Sequence, residues 1–149
     1  MSIKVYLDSN VIMRLVLRKD KTLEKIITAS RDGKLETYVS WLSLMEISKP
    51  VSRMANHQKT RTLDRINEEL DRNKIHILAE FDPSLSSGAT GFIIPDFDYA
   101  DYLHLLVASR VNVNYFVTYD KHLLSKGQFE SFKILDPGEF VRRVLEAEK

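Results

Sequence analysis

Short, nearly continuous apolar runs alternate along this chain with longer stretches whose apolar residues recur every three or four positions. The first run, residues 3–7, consists of strand formers and is mostly apolar, as expected of a strand covered on both faces. It stops on Asp8, Ser9 and Asn10, each able to cap a helix. Val11, Ile12, Met13, Leu15 and Val16 then follow at helical spacing. After a polar break at 18–21, Asp20 or Thr22 caps a second predicted helix with Leu23, Ile26 and Ile27 on its apolar face, ended by Asp32 and Gly33. Residues 36–41 are the second predicted strand. Ser43 reads as a cap with Glu46 at capping-box spacing. It opens a helix through Leu44, Met45 and Ile47 that Pro50 kinks or divides.

Residues 57–73 carry Leu63, Ile66 and Leu70 at helical spacing among many charges, and 75–78 form a short strand. Residues 82–97, with Pro83, Gly88, Gly91 and Pro95, are predicted as a long loop of the kind that is often functional. A helix begins near Tyr99 with Leu103, Leu106, Val107 and Val111 on its apolar face, and Asn114 ends the connection that follows. Residues 115–119 form a strand that stops on Asp120, and 133–135 form the last strand. Pro137 starts a final helix at its first turn, with Phe140, Val144 and Leu145 inward. Tyr6, Trp41 and Phe116 are assigned to the core. Strands alternating with helices predict a three-layer α/β/α fold around a mostly parallel central sheet, with right-handed crossovers. At 149 residues without internal repeats, the chain is expected to be one domain, 1–149.

Composition narrows the chemistry. The chain is 44% apolar and 29% charged with a net charge of +1, so any polyanion binding has to come from a local patch. It has no cysteine, which excludes disulfides, thiolate metal sites and a cysteine nucleophile and fits a reducing cytoplasm. The start reaches an acid by position 8, so no signal peptide is expected, and no apolar run approaches the roughly 20 residues a membrane helix needs.

Four acids fall on one predicted edge. Asp8 ends the first strand, Glu46 lies one turn into the helix after the second, Asp101 starts the helix leading into the fourth, and Asp120 ends that fourth strand. In a parallel sheet these positions share the carboxyl ends of the strands, where ligands bind. Each has a plainer reading: Asp8 as a helix cap, Asp101 as a complement to a helix dipole, Glu46 as half of a capping box, Asp120 as a turn residue. Their convergence is what gives them weight. Clustered carboxylates repel unless a cation sits among them. An all-oxygen donor set favours Mg²⁺ or Mn²⁺, which lowers the pKa of a bound water and steadies charge on a phosphoryl group. Asn10 and Thr118 stand two residues from Asp8 and Asp120 and can hydrogen-bond a carboxylate or a water ligand.

These segments resemble the PIN domain, the small metal-dependent ribonuclease family that includes the toxins of VapBC toxin–antitoxin pairs. The resemblance rests on Val5-Tyr6-Leu7-Asp8-Ser9-Asn10-Val11-Ile12, on Trp41-Leu42-Ser43-Leu44-Met45-Glu46-Ile47, on 100–108 around Asp101, and on Phe116-Val117-Thr118-Tyr119-Asp120. It implies an Mg²⁺- or Mn²⁺-dependent endonuclease cutting single-stranded or structured RNA, often a homodimer, with an antitoxin partner. It carries over Asp8, Glu46, Asp101 and Asp120 as metal ligands and catalytic acids, with Asp98 competing with Asp101 for the third place. The chain departs from the family pattern at 82–97, where a helix is usual. Arg14, Arg18, Lys19, Lys121, His122 and Lys126 are candidates for phosphate contacts, and Arg53, His57, Lys59, Arg61 and Arg65 form the densest basic run, which also reads as a charged helix exterior. The competing readings are a PIN-fold RNA-processing factor, an inactive partner-binding scaffold, and a phosphohydrolase with Asp8 as nucleophile. The last is disfavoured because Asn10 stands where a second aspartate would be needed.

Overall fold

The computed structural model describes residues 2–78 and 99–147. Asp98 and the predicted loop at 82–97 lie outside the described residues. Among the described residues, β1 (Ile3–Leu7), β2 (Leu35–Ser40), β3 (His76–Leu78), β4 (Tyr115–Val117), β5 (Gln128–Phe129) and β6 (Phe132–Leu135) form one sheet in the order β3-β2-β1-β4-β6-β5. All neighbours are parallel except the edge strand β5, which pairs antiparallel with β6. From β1 the chain moves outward through β2 to β3, then returns to β4 on the other side of β1. The strand order therefore reverses between β1 and β4, and Asp8 emerges at that switch point.

Strand alternation divides the core into two layers. Val5 and Leu7 of β1 pack with Leu35 and Val39 of β2, Val117 of β4 and Leu135 of β6 on one face. That face is covered by α1 (Ser9–Leu17), α2 (Lys21–Arg31), α3 (Trp41–Ser52), α4 (Asn56–Arg72) and α7 (Pro137–Phe140). Tyr6, Phe116, Phe132 and Ile134 point to the opposite face. There they meet Leu105 and Ala108 of α5 (Tyr99–Arg110) and Leu123 of α6 (Lys121–Lys126). The outcome is the predicted three-layer α/β/α sandwich. Helix α1 buries Val11, Ile12, Leu15 and Val16, a gross gain of roughly 6–12 kcal/mol at about 1.5–3 kcal/mol each, which fixes the helix that Asp8 caps.

Several details differ from the sequence reading. Trp41 is not the end of β2 and not core. It opens α3 and is 52% exposed. The cap of α3 is Ser40, whose side chain accepts from Ser43 N at 3.4 Å, so Ser43 and Glu46 do not form a capping box. Pro50 neither ends nor divides α3, because only two helical residues follow it and the missing N–H falls in the last turn. Leu63 is about half exposed rather than inward. On α5 the fully buried residues are His104, Leu105 and Ala108, whereas Leu106 and Val107 are only half-buried. Strand β4 ends at Val117, two residues earlier than predicted. Helix α6, strand β5 and the π-helical turn over Val141–Leu145 after α7 were not anticipated.

Candidate active site

The register builds the site. Tyr6 of β1 stands beside Tyr38 of β2 and Phe116 of β4. Two residues further, on the same side of the sheet, the corresponding positions are Ser40, Asp8 and Thr118. Three polar side chains thus leave the carboxyl ends of adjacent strands next to one another.

Asp8 is 5% exposed and is pinned at both ends. Its backbone N–H donates to Val117 O at 3.0 Å. Oδ1 accepts from Ser9 N at 2.8 Å as the cap of α1, and Oδ2 accepts from Thr118 Oγ1 at 2.7 Å. Thr118, wholly buried, is a junction: it also accepts from Asn10 Nδ2 at 3.2 Å and from Asp120 N at 3.0 Å. Asn10 Oδ1 accepts from Tyr119 N at 3.1 Å, so Asn10 braces the end of β4 against α1. Burial raises the Asp8 carboxyl above the ordinary aspartate value, against the opposing pull of His104, Thr118 and Ser9. The fold therefore holds this acid where its negative charge is under-compensated.

Glu46, on α3, is 42% exposed at its side chain and hydrogen-bonds Nε2 of His104 from α5. His104 is 1% exposed. Its Nδ1 lies 2.7 Å from the hydroxyl of Tyr6, which also contacts Ser40 Oγ at 2.6 Å and Ser43 Oγ at 3.3 Å. Burial alone would lower the imidazole pKa. The hydrogen bond to Glu46 and the charges of Asp8, Glu46 and Asp101 outweigh it, and the value is raised. Burial pushes the Tyr6 phenol far up, so it remains protonated.

The four sequence-predicted acids are thus brought together unequally. Asp8 and Glu46 offer oxygens that, with a nitrogen of His104, lie within 4.8 Å of one another. Asp101 lies one turn before His104 on α5 and acts on its charge, but is not a member of that trio. Asp120 is joined to Asp8 through Thr118, while its own Oδ1 caps α6 by accepting from His122 N at 2.8 Å and Leu123 N at 3.3 Å. His104 was missed as a site residue. Its only sequence signal is its place three residues after Asp101, on the same helical face. Lys19, in the connection between α1 and α2, is committed to Glu69 at 2.7 Å, which makes it a tie between that connection and α4 rather than a phosphate contact. Arg14 lies over the ring of Tyr119 at 4.9 Å.

The donor set fits a hard divalent cation. Opposite ligands on Mg²⁺ or Mn²⁺ sit about 4.2 Å apart, twice a bond of roughly 2.1 Å. Carboxylate oxygens within 4.8 Å need to move by less than an ångström to share one ion. The same ion would relieve the charge that burial penalises at Asp8.

A parallel sheet with helices on both faces, and acids gathered where its strand order reverses, defines an α/β protein with a polar site at the carboxyl edge. The family model of the PIN domain matches residues 4–122, a span that includes Asp8, Glu46, Asp101 and Asp120. The chain belongs to the PIN-domain family. Its fold is also similar to a chain of the crystal structure of VapBC2 from Rickettsia felis bound to a DNA fragment from their promoter, with a TM-score of 0.67 and 14% identity over 89% of this chain and 97% of that one. It is similar as well to a chain of FitAcB from Neisseria gonorrhoeae, with a TM-score of 0.64 and 15% identity over 90% of this chain and 98% of the other. No curated protein sequence matches. Among the described residues no helix is long and apolar enough to cross a membrane.

Proposed function

We propose that this PIN domain is a metal-dependent endoribonuclease and the toxin of a toxin–antitoxin pair. The observation that carries the reading is Asp8: a nearly buried carboxylate at the switch point, facing Glu46 and under-compensated for charge. Asp8 and Glu46 would hold Mg²⁺ or Mn²⁺, with Asp101 and Asp120 completing the shell directly or through water. When bound, the ion supplies a water of lowered pKa and positive charge to meet that developing on the phosphoryl group. The chain's own contribution is orientation. Ser9 N–H and Thr118 Oγ1 hold both oxygens of Asp8, and Asn10 locks the end of β4 to α1. Arg14 and the basic residues around α6 are the candidates to meet RNA phosphates. The products expected of the family chemistry are a 5′-phosphate and a 3′-hydroxyl.

The toxin assignment draws support from the likeness in fold to chains of VapBC2 and FitAcB. An antitoxin partner, a homodimer and a cytoplasmic location belong to the same reading. The decisive assay is cleavage of a mixed single-stranded and hairpin RNA panel with Mg²⁺, Mn²⁺ or EDTA. Asp8→Asn should abolish metal-dependent cleavage while circular dichroism stays native. Full activity in Asp8→Asn, or in EDTA, overturns the nuclease reading. Induced expression of the wild type, but not of Asp8→Asn, should arrest growth if the chain is a toxin.

A further inference from the structure

The trio of Asp8, Glu46 and His104 contains one member that the four-acid scheme does not use. His104 is almost wholly buried, and both ring nitrogens already have partners: Nδ1 faces Tyr6, Nε2 faces Glu46. Tyr6 itself is immobilised. Its ring stacks on Phe116 with centroids 5.0 Å apart and planes 15° from parallel, and it meets the His104 ring edge-on at 5.9 Å. Phe116 in turn stacks on Phe132 at 6.2 Å. A residue held this firmly transmits an orientation.

The direction of the hydrogen bonds follows from what each group can do. An ionised Glu46 has acceptors only, so Nε2 carries the proton between them. Where the imidazole carries a single proton, the proton on Nε2 leaves a lone pair at Nδ1, and the Tyr6 phenol has one proton to give it. The Tyr6 oxygen then accepts from the hydroxyl of Ser40, 2.6 Å away. The chain of donors runs Ser40 to Tyr6 to His104 to Glu46, with every link paired and none frustrated. Metal-binding carboxylates and imidazoles are commonly held by such outer partners.

Resting on the nuclease reading above, we infer that His104 is a positioning residue and not a ligand. The relay from Tyr6 turns its Nε2–H onto the Glu46 carboxylate and fixes it beside Asp8, where the two acids would hold a divalent cation. The device is built by register: Tyr6 lies on the same side of the sheet as Asp8, two residues before it, and reaches across to α5 where Asp8 reaches the substrate edge.

The test reads Mn²⁺ binding, not activity. Dissociation constants come from the electron paramagnetic resonance signal of free Mn²⁺ at pH 8, with melting in EDTA to certify each fold. His104→Gln keeps an amide N–H within reach of Glu46 and should bind Mn²⁺ within about threefold of wild type. His104→Leu and Tyr6→Phe should weaken binding about 10- to 100-fold, the range for lost outer partners of a metal ligand. In the metal-free protein, two-dimensional ¹⁵N spectra should show His104 protonated at Nε2. Unchanged affinity in folded Tyr6→Phe and His104→Leu overturns the inference. So does an Nε2 without its proton, or a directly coordinated ¹⁴N in the pulsed spectrum of bound Mn²⁺, which would make His104 a ligand. Wild type that binds no Mn²⁺ removes both this inference and the nuclease reading. Binding in the expected order without RNA cleavage removes the nuclease reading alone.

Discussion

Thr118→Val replaces one hydroxyl by a methyl of nearly the same shape at the junction of the site. The hydroxyl donates to Asp8 Oδ2 at 2.7 Å and accepts from Asn10 Nδ2 and Asp120 N. A hydrogen bond to a charged group contributes about 1.5–3 kcal/mol net. Asn10 and Asp120 are only half-buried, so water replaces Thr118 for both at small cost. Burying a methyl where a hydroxyl stood returns about 0.5–1 kcal/mol. The balance is a loss of about 0.5–2.5 kcal/mol, or a Tm lower by roughly 2–8 °C at about 3 °C per kcal/mol for a domain of this size. The bond favours charged Asp8, so the loss is largest above the pKa that Asp8 has in the folded protein and shrinks as pH falls through it. Melting must be read in EDTA, because bound metal adds stability by mass action. Thr118→Ser keeps the hydroxyl and should leave the pH dependence unchanged. A Thr118→Val protein melting within 1 °C of wild type at pH 8, with the Asp8 carboxyl titrating as before, refutes the assignment of Thr118 as the group that holds Asp8.

Two further outcomes follow. The Asp8 carboxyl is raised in the folded state, so the folded chain binds the extra proton between the unfolded value, about 3.9, and the higher folded one. Its contribution to stability is therefore lost as pH rises through that window. In EDTA, the difference in stability between Asp8→Asn and wild type should move in favour of the variant from pH 4 to pH 7, and a flat difference argues against a strained carboxylate. Gly127 ends α6 at φ +72°, with no atom within 4 Å of an added Cβ. Gly127→Ala should cost about 1 kcal/mol through backbone strain alone. A calorimetric scan should show a Tm about 3 °C lower with Mn²⁺ affinity unaltered.

The layers and the acid-bearing edge were legible because they follow from local periodicity: apolar strands ending on Asp8 and near Asp120, and helices with apolar stripes between them. What stayed hidden depends on partners distant in sequence. His104 sits in an apolar helical run and looks like any buried histidine, since the residues that give it a role, Tyr6 and Glu46, are 98 and 58 positions away. The cap of α3 was misplaced by three residues because Trp41 favours strands and Ser43 with Glu46 mimics a capping box. In the structure Ser40 instead serves both the helix end and the Tyr6 hydroxyl. Helix α6 and strand β5 were missed because they span six and two residues, too short for any period to register.

Placing an acid where Asp8 stands has a consequence for folding itself. Its two oxygens accept short bonds from Ser9 N and Thr118 Oγ1 and longer ones, at 3.5 Å, from Ser9 Oγ and Asn10 Nδ2, yet burial still wins and the carboxyl stays raised. The metal-free protein therefore carries an electrostatic penalty at its switch point, which the buried side chains of α1 and the stacked Tyr6–Phe116–Phe132 rings offset. Under the proposed function, a cation captured between Asp8 and Glu46 would remove the penalty and add its own binding free energy, about 2.7 kcal/mol at a hundredfold excess over Kd. Stability and metal loading would then be one equilibrium. Register is what both depend on, because a slip of one residue in β1 would turn Tyr6 and Asp8 to the other face and put Leu7 at the edge. The same pairing that makes the core dry thus decides which side chain stands at the carboxyl edge, where the proposed ion would be held.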